Sequence, residues 1–184
     1  YLKSGVGREW FKNEVVDKPE NWSSARDLLE EIRRSRLSEL VSESKSKTKK
    51  EKPLPEITED EIPFDIPENW CWCKIKDIAY VSTGMTPLKS ESKFYENGNI
   101  PWVTSTLTSS DYIDKADTYI TEFALNNTTL DLYPVHTLIL AMYGQGKTRG
   151  QISELLIPAT INQACAAIEL YSSNETLRKY MKLF

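Results

Sequence analysis

The chain has 184 residues, 40% apolar and 27% charged, with a formal net charge of −4. That is a soluble globular balance, with material for one ordinary domain and an appendage. Its longest apolar stretch, around residues 137–142, falls far short of the ~20 residues that span a bilayer, so no membrane partner is expected. Residues 1–69 hold 13 Lys/Arg against 16 Asp/Glu and residues 70–184 hold 10 against 11. Any polyanion must therefore be met by a local patch, with few phosphate contacts and a shallow salt dependence. No charged-then-apolar leader opens the chain, and Cys71, Cys73 and Cys165 are an odd number, which points to a reduced, cytoplasmic setting. The chain does not begin with Met and breaks off inside a helical pattern, so it is expected to be a piece of a longer protein.

In chain order, residues 1–22 form a mixed polar segment and residues 23–41 an amphipathic helix. Ser24 with Asp27 three residues on makes a capping box. Leu28, Leu29, Ile32, Leu37 and Leu40 then fall at helical spacing. Such a stripe must be covered, and a protein–protein surface, with another helix or a partner subunit, is expected there. Residues 42–61 carry a lysine run followed by an acidic, proline-studded tract. That composition cannot offset the entropy of ordering, so it reads as an extended linker.

A domain of residues 62–173 follows. Strands are expected at 70–74, 79–82 and 100–104, with a long loop over 83–99. A short helix at 121–126 is capped by Thr121. The continuously apolar residues 137–142 read as a buried strand, followed by a loop with Gly144, Gly146 and Gly150 and by strands over 152–157 and 162–170. A new helix starts at 174–184. Together these elements predict a mixed α/β (α+β) fold of several short strands.

The inventory for catalysis is poor. The single histidine, His136, sits in a turn before the buried strand and has no ligand-spaced neighbour. Cys71 and Cys73, one residue apart on an expected strand, do not have the spacing of a zinc knuckle, so no metal site is expected. The run Ala141-Met142-Tyr143-Gly144-Gln145-Gly146-Lys147-Thr148 fits a relaxed P-loop pattern after a buried strand. A nucleotide-hydrolysing enzyme fragment using Lys147 and Thr148 is therefore the alternative reading. Against it, a P-loop should open a helix, whereas Gly150 and Pro158 crowd the place where that helix would be.

From Ile62 onward the ordered pieces Ile62-Pro63 to Asn69-Trp70, Trp72, Lys74-Ile75-Lys76-Asp77-Ile78, Gly84-Met85-Thr86-Pro87, Ile100-Pro101-Trp102-Val103-Thr104, Ile120-Thr121, Pro134, Leu138 to Gly150 and Asn162-Gln163-Ala164-Cys165 resemble a target recognition domain. The family is the specificity subunit of type I restriction–modification systems. Residues 8–41 resemble the helical segment that precedes such domains. The resemblance implies a non-catalytic module that binds double-stranded DNA and reads one half of a split target, in a subunit where long helices set the spacing between two readers. Methyltransferase subunits bringing S-adenosylmethionine would dock on it, and a motor-nuclease subunit, with ATP and Mg, would join for cleavage. No cofactor is implied for this chain itself, and the helix after Asn174 would begin a spacer. Trp70, Trp102, Pro87 and Asn162 would be architectural. His136 stands where a glycine-like turn residue is expected.

Three polar loops between apolar strands are the expected DNA-binding places. Residues 83–92 offer Thr86, Lys89 and Ser90, with Lys93 just beyond. Residues 105–110 offer Ser105, Thr106 and Thr108. Residues 143–149 offer Tyr143, Gln145, Lys147, Thr148 and Arg149. Gln and Arg suit base edges, while Lys and Thr suit phosphates, so the glycine loop carries the best mix.

Overall fold

The computed structural model describes residues 24–43, 57–143 and 149–183. The polar segment 1–22, most of the linker, and the centre of the glycine loop (Gly144, Gln145, Gly146, Lys147 and Thr148) lie outside the described residues.

Helix α1, Ala25–Glu43, opens on its capping box: the Ser24 N–H donates to Asp27 Oδ2 at 3.0 Å, and the Asp27 N–H donates to Ser24 Oγ at 3.2 Å. Residues 70–74 are not a strand. They run irregularly into a one-turn helix, α2 (Ile75–Ile78), because the Lys74 N–H finds the Asp77 carboxylate at 2.9 Å and the chain turns there. Cys71 and Cys73 pack, half-buried, on the same apolar cluster as α1, and burial pushes both thiols above their ordinary pKa.

Eight short strands follow: β1 Ala79–Thr83, β2 Ile100–Val103, β3 Tyr112–Ile113, β4 Thr118–Ile120, β5 Leu138–Ala141, β6 Ile152–Leu155, β7 Thr160–Ile161 and β8 Cys165–Leu170. Helix α3, Glu122–Asn126, is capped by Thr121, whose Oγ1 accepts from the Ala124 N–H at 3.1 Å. Helix α4 is Glu175–Leu183, its Leu177 N–H bonded to Asn174 Oδ1 at 2.9 Å. The strands form a five-stranded sheet in the order β1-β8-β5-β6-β3 and a three-stranded sheet in the order β4-β2-β7. Both are mixed, with β3/β6 and β2/β7 parallel and the other pairs antiparallel. The fold is α+β, as expected. The stretch expected as one strand over 162–170 is instead a turn at residues 162–164, closed by Asn162, followed by β8, and the short β7 lies just before it.

The two faces of the larger sheet follow the pleat. Ile139, Leu155, Cys165 and Ala167 face the small sheet and pack with Val103, Ile161 and Tyr133. Leu138 and Ile168 face the other way and receive Leu29 and Ile32 of α1 and Met181 of α4. The apolar stripe of α1 is thus covered by the chain's own sheet and by α4, which corrects the expectation of a surface left for a partner subunit. Leu37 is the exception, 61% exposed, while the side chain of Leu40 lies outside the described residues. Arg33 fastens the helix to the buried Asp77 at 3.2 Å. Among the described residues, no helix is long and apolar enough to cross a membrane.

Candidate nucleic-acid interface

Strand register decides which loops meet. Thr83, the last residue of β1, lies opposite Ala166 near the start of β8, and Ala141, the last of β5, lies opposite Cys165. The parallel pair β2/β7 brings Val103 beside Ile161. The segments after β1, after β2, between β5 and β6 and between β7 and β8 therefore emerge at one end of the fold. All three loops singled out in the sequence begin there, and the turn over residues 162–164 sits among them.

Backbone bonds hold that turn in place. The Asn162 N–H donates to Val103 O at 2.9 Å, the Cys165 N–H to Asn162 O at 3.1 Å, and the Met142 N–H to Ala164 O at 2.8 Å. The Asn162 side chain accepts from the Ala164 N–H at 3.1 Å. Beside it the β1 loop comes so close that a Cβ on Gly84 would lie 1.9 Å from Ile161 O. The neighbouring Met85 N–H donates to that same oxygen at 3.2 Å, a contact only glycine permits. Trp102 Nε1 donates to Met85 O at 3.1 Å, and Tyr95 Oη to Pro87 O at 2.6 Å. Trp102, Pro87 and Asn162 are architectural in this sense. Trp70 differs: it is half-exposed and meets Tyr180 edge-on, with ring centroids 5.9 Å apart.

The predicted site residues divide. Thr86 stands next to the turn, and its hydroxyl donates to Gln163 Oε1. Ser105 and Thr106 follow β2 directly, on a 3-10 turn (Ser105–Ser109) rather than an open loop. Thr106 Oγ1 lies 2.7 Å from Thr104 Oγ1, and Thr108 is buried, its hydroxyl donating to Ser105 O at 2.8 Å. Tyr143 is 64% exposed, and Arg149 is exposed across the hairpin from it. Lys93 goes elsewhere. Lys93 O accepts from Thr121 Oγ1 at 2.7 Å, which places it near Ile120, opposite Ile100 at the far end of β2. Exposed Lys89 rims an open cleft lined by Ser92, Tyr95, Glu96, Trp102 and Thr118, and Ser90 is exposed on the same segment. Gln163, exposed at the tip of the turn, is the residue that sequence reasoning missed. Assigned to a strand, it looked like one more alternating position; the signal was Asn162, a side chain prone to bond its own backbone two residues on.

The flanks of the glycine loop decide against the P-loop context. The Gly150 N–H donates to Ala141 O at 2.9 Å, and Leu140 pairs with Ile152. The run thus joins two antiparallel strands, with no helix at its end to face phosphates. Gly150 adopts φ +85° to close this hairpin.

The opposite end of the sheet is charged. Glu154, buried on β6, lies 2.8 Å from Arg178 Nε, 2.8 Å from His136 Nδ1 and 3.9 Å from Lys182 Nζ. His136 has φ +71°, the left-handed conformation that a glycine-like turn position demands. Among the described residues no group of three or more His, Cys, Asp and Glu is placed to hold a metal ion.

The chain belongs to the type I restriction modification DNA specificity domain family, whose model matches residues 67–182. Among its relatives are the specificity subunit of the type I restriction enzyme EcoEI of Escherichia coli, 37% identical over 87 residues, which are 47% of this chain and 14% of that protein. That of EcoR124I/EcoR124II, from the same organism, is 30% identical over 98 residues, 53% of this chain and 24% of that protein. That of MjaIX of Methanocaldococcus jannaschii is 36% identical over 104 residues, 53% of this chain and 22% of that protein. The matches thus span less than a quarter of each curated relative. The crystal structure of the HsdS subunit from Thermoanaerobacter tengcongensis is similar with a TM-score of 0.47 and 15% identity, over 86% of this chain and 36% of that one.

Proposed function

We propose that this chain is a non-catalytic, DNA-reading module of a type I restriction–modification specificity subunit, working in the cytoplasm. The observation that carries the reading is the convergence of the starts of three polar loops on the turn at residues 162–164, in a chain of this family. Neutral hydroxyls and an amide there suit base edges, Arg149 suits a guanine edge or a phosphate, and Tyr143 offers a stacking face. Lys147, Thr148 and Gln145 belong to the same hairpin and would extend the contact. Lys89, Ser90 and Lys93, being displaced from this end, would touch DNA only as peripheral phosphate contacts. In the whole subunit, methyltransferase subunits would bring S-adenosylmethionine and a motor-nuclease subunit would bring ATP and Mg. This chain would supply neither chemistry.

The test is methylation by the reconstituted full complex, scored over a library of half-site variants. Arg149→Ala and Gln145→Ala should each cost more on the preferred half-site than on others, by roughly 1–3 kcal/mol. Lys147→Ala should weaken binding to all duplexes alike and lower the salt slope by about one unit. Unchanged preference in both Arg149→Ala and Gln145→Ala would remove this hairpin as the reader and make residues 83–92 the next candidate. ATP turnover by the purified specificity subunit, lost in Lys147→Ala, would favour the nucleotide-hydrolysing alternative instead.

A further inference from the structure

We propose that Gln163 is itself a base-reading side chain and that Thr86 is the residue that positions it; this rests on the DNA-reading function above. Three observations meet at this residue. Its backbone belongs to a turn bonded on every side: to Val103 through Asn162, to Met142 through Ala164, and internally through the Asn162 carboxamide. The side chain nevertheless points outward and is exposed, at the end of the fold where the three polar loops begin. Its Oε1 accepts the Thr86 hydroxyl, across 77 residues of sequence.

That last bond has a chemical consequence. A glutamine amide carries an acceptor oxygen and a donor nitrogen that can exchange places by rotation about its last torsion. With the Thr86 hydroxyl donating to Oε1, that oxygen is engaged at Thr86 and Nε2 is the end left free. The Nε2 group then projects as a pair of donors in one orientation, matched to an acceptor on a base edge: purine N7, guanine O6 or thymine O4. Thr86 in turn is tied down, since Met85 before it is bonded through both its N–H and its carbonyl and Pro87 after it is fully buried. Donors held in place before the duplex arrives cost less ordering entropy on binding. Thr86 thus acts through Gln163, its own hydroxyl proton being already spent.

The experiment uses the full complex with its modification subunits and the same half-site library, with thermal melting of each variant as a control. Gln163 is exposed, so Gln163→Ala should melt with the parent while discrimination at one base pair falls by about tenfold. Gln163→Glu, which removes the donors but keeps the shape, should lose the same discrimination and disfavour acceptor-rich edges. Thr86→Val, which frees the amide to rotate, should flatten preference at that same position, and Thr86→Ser should restore it. A merely structural Thr86 would lower methylation of all duplexes equally, and that result overturns the inference. So does Gln163→Ala with an unaltered profile when Arg149→Ala alters it. If neither changes the profile, the reading end itself is misplaced.

Discussion

At one end of the five-stranded sheet a buried carboxylate, Glu154, is surrounded by Arg178 and Lys182 of α4 and by His136. At the other end the side chains around the 162–164 turn, Thr86, Thr104, Thr106 and Gln163, are neutral, with Arg149 exposed on the neighbouring hairpin, and the bonds that hold the segments in place are largely backbone ones. β6 connects the two ends, running from the glycine hairpin to Glu154 in four residues. The contrast separates two tasks. Charge taken out of water holds a helix in one orientation at a cost that only complete pairing offsets. A surface meant to tell bases apart needs directional donors whose desolvation costs less and whose positions are set beforehand. On the proposed reading, a module of small negative net charge would rely on directional groups, Arg149 among them, more than on bulk charge.

Removing the anchor at the charged end should have the largest effect. Glu154→Ala leaves Arg178 and Lys182, with side chains only 12% and 13% exposed, without their counter-charge. A loss of about 3–5 kcal/mol is expected in urea unfolding followed by tryptophan fluorescence, with the methylated sequence unaltered in whatever fraction stays folded. A shifted half-site preference would break the separation of tasks.

Gly84→Ala attacks the other end. The new Cβ would collide with a backbone carbonyl, so the β1 loop must move off β7, costing about 2–3 kcal/mol. Here sequence preference should change together with stability. Loss of stability with a preserved profile would show that the loop does not set the reader's geometry.

A third prediction concerns Cys165, beneath the reading turn. Burial pushes its thiol from 9.0 up to about 12. The folded state therefore holds a proton that the unfolded chain gives up above pH 9. Stability from the neutral thiol is complete below pH 9 and is lost as pH rises from 9 towards 12, by about 1.4 kcal/mol per unit. Cys165→Ala should lack this added slope, and the difference between the two unfolding curves cancels the contributions of Cys71 and Cys73. Parallel curves would mean that the thiol is not sealed from water. The smallest effect is expected at neither end: Thr121→Ala removes the cap of α3 and should cost about 1 kcal/mol, leaving preference unchanged.

Much of this contrast was legible in the sequence where its cause is local. The capping box of α1, the cap of α3, the continuous apolar run of β5 and the glycine-like position of His136 each declare themselves within a few residues. The strand expected at 70–74 failed because apolar alternation there reflects a segment laid under α1, and Asp77 ends it with a helical turn. The turn at 162–164 was missed because it opens an otherwise strand-like stretch, and β7, two residues long, carries no pattern of its own. The candidate site was half legible. Polar loops could be found one by one, but that 83–86, 104–106 and 162–164 meet depends on the parallel pairing of β2 with β7. The Thr86–Gln163 bond depends on register between segments 77 residues apart, which no local pattern contains. The same register carried Lys93 away from the site.

The pairing of β1 with β8 also sets a clock for synthesis. Thr83 cannot meet Ala166 until 83 further residues have been made, roughly 4–17 s at ribosomal speed. Until then Ala79–Thr83, with Tyr80 and Val81 outermost, is a strand without a sheet, and β5 too lacks the neighbour that completes its ladder. The Asn162 turn is therefore among the last parts of the domain to be completed, and a nascent chain stopped before residue 165 would lack the β8 pairings that bring β1 and β5 to the same end.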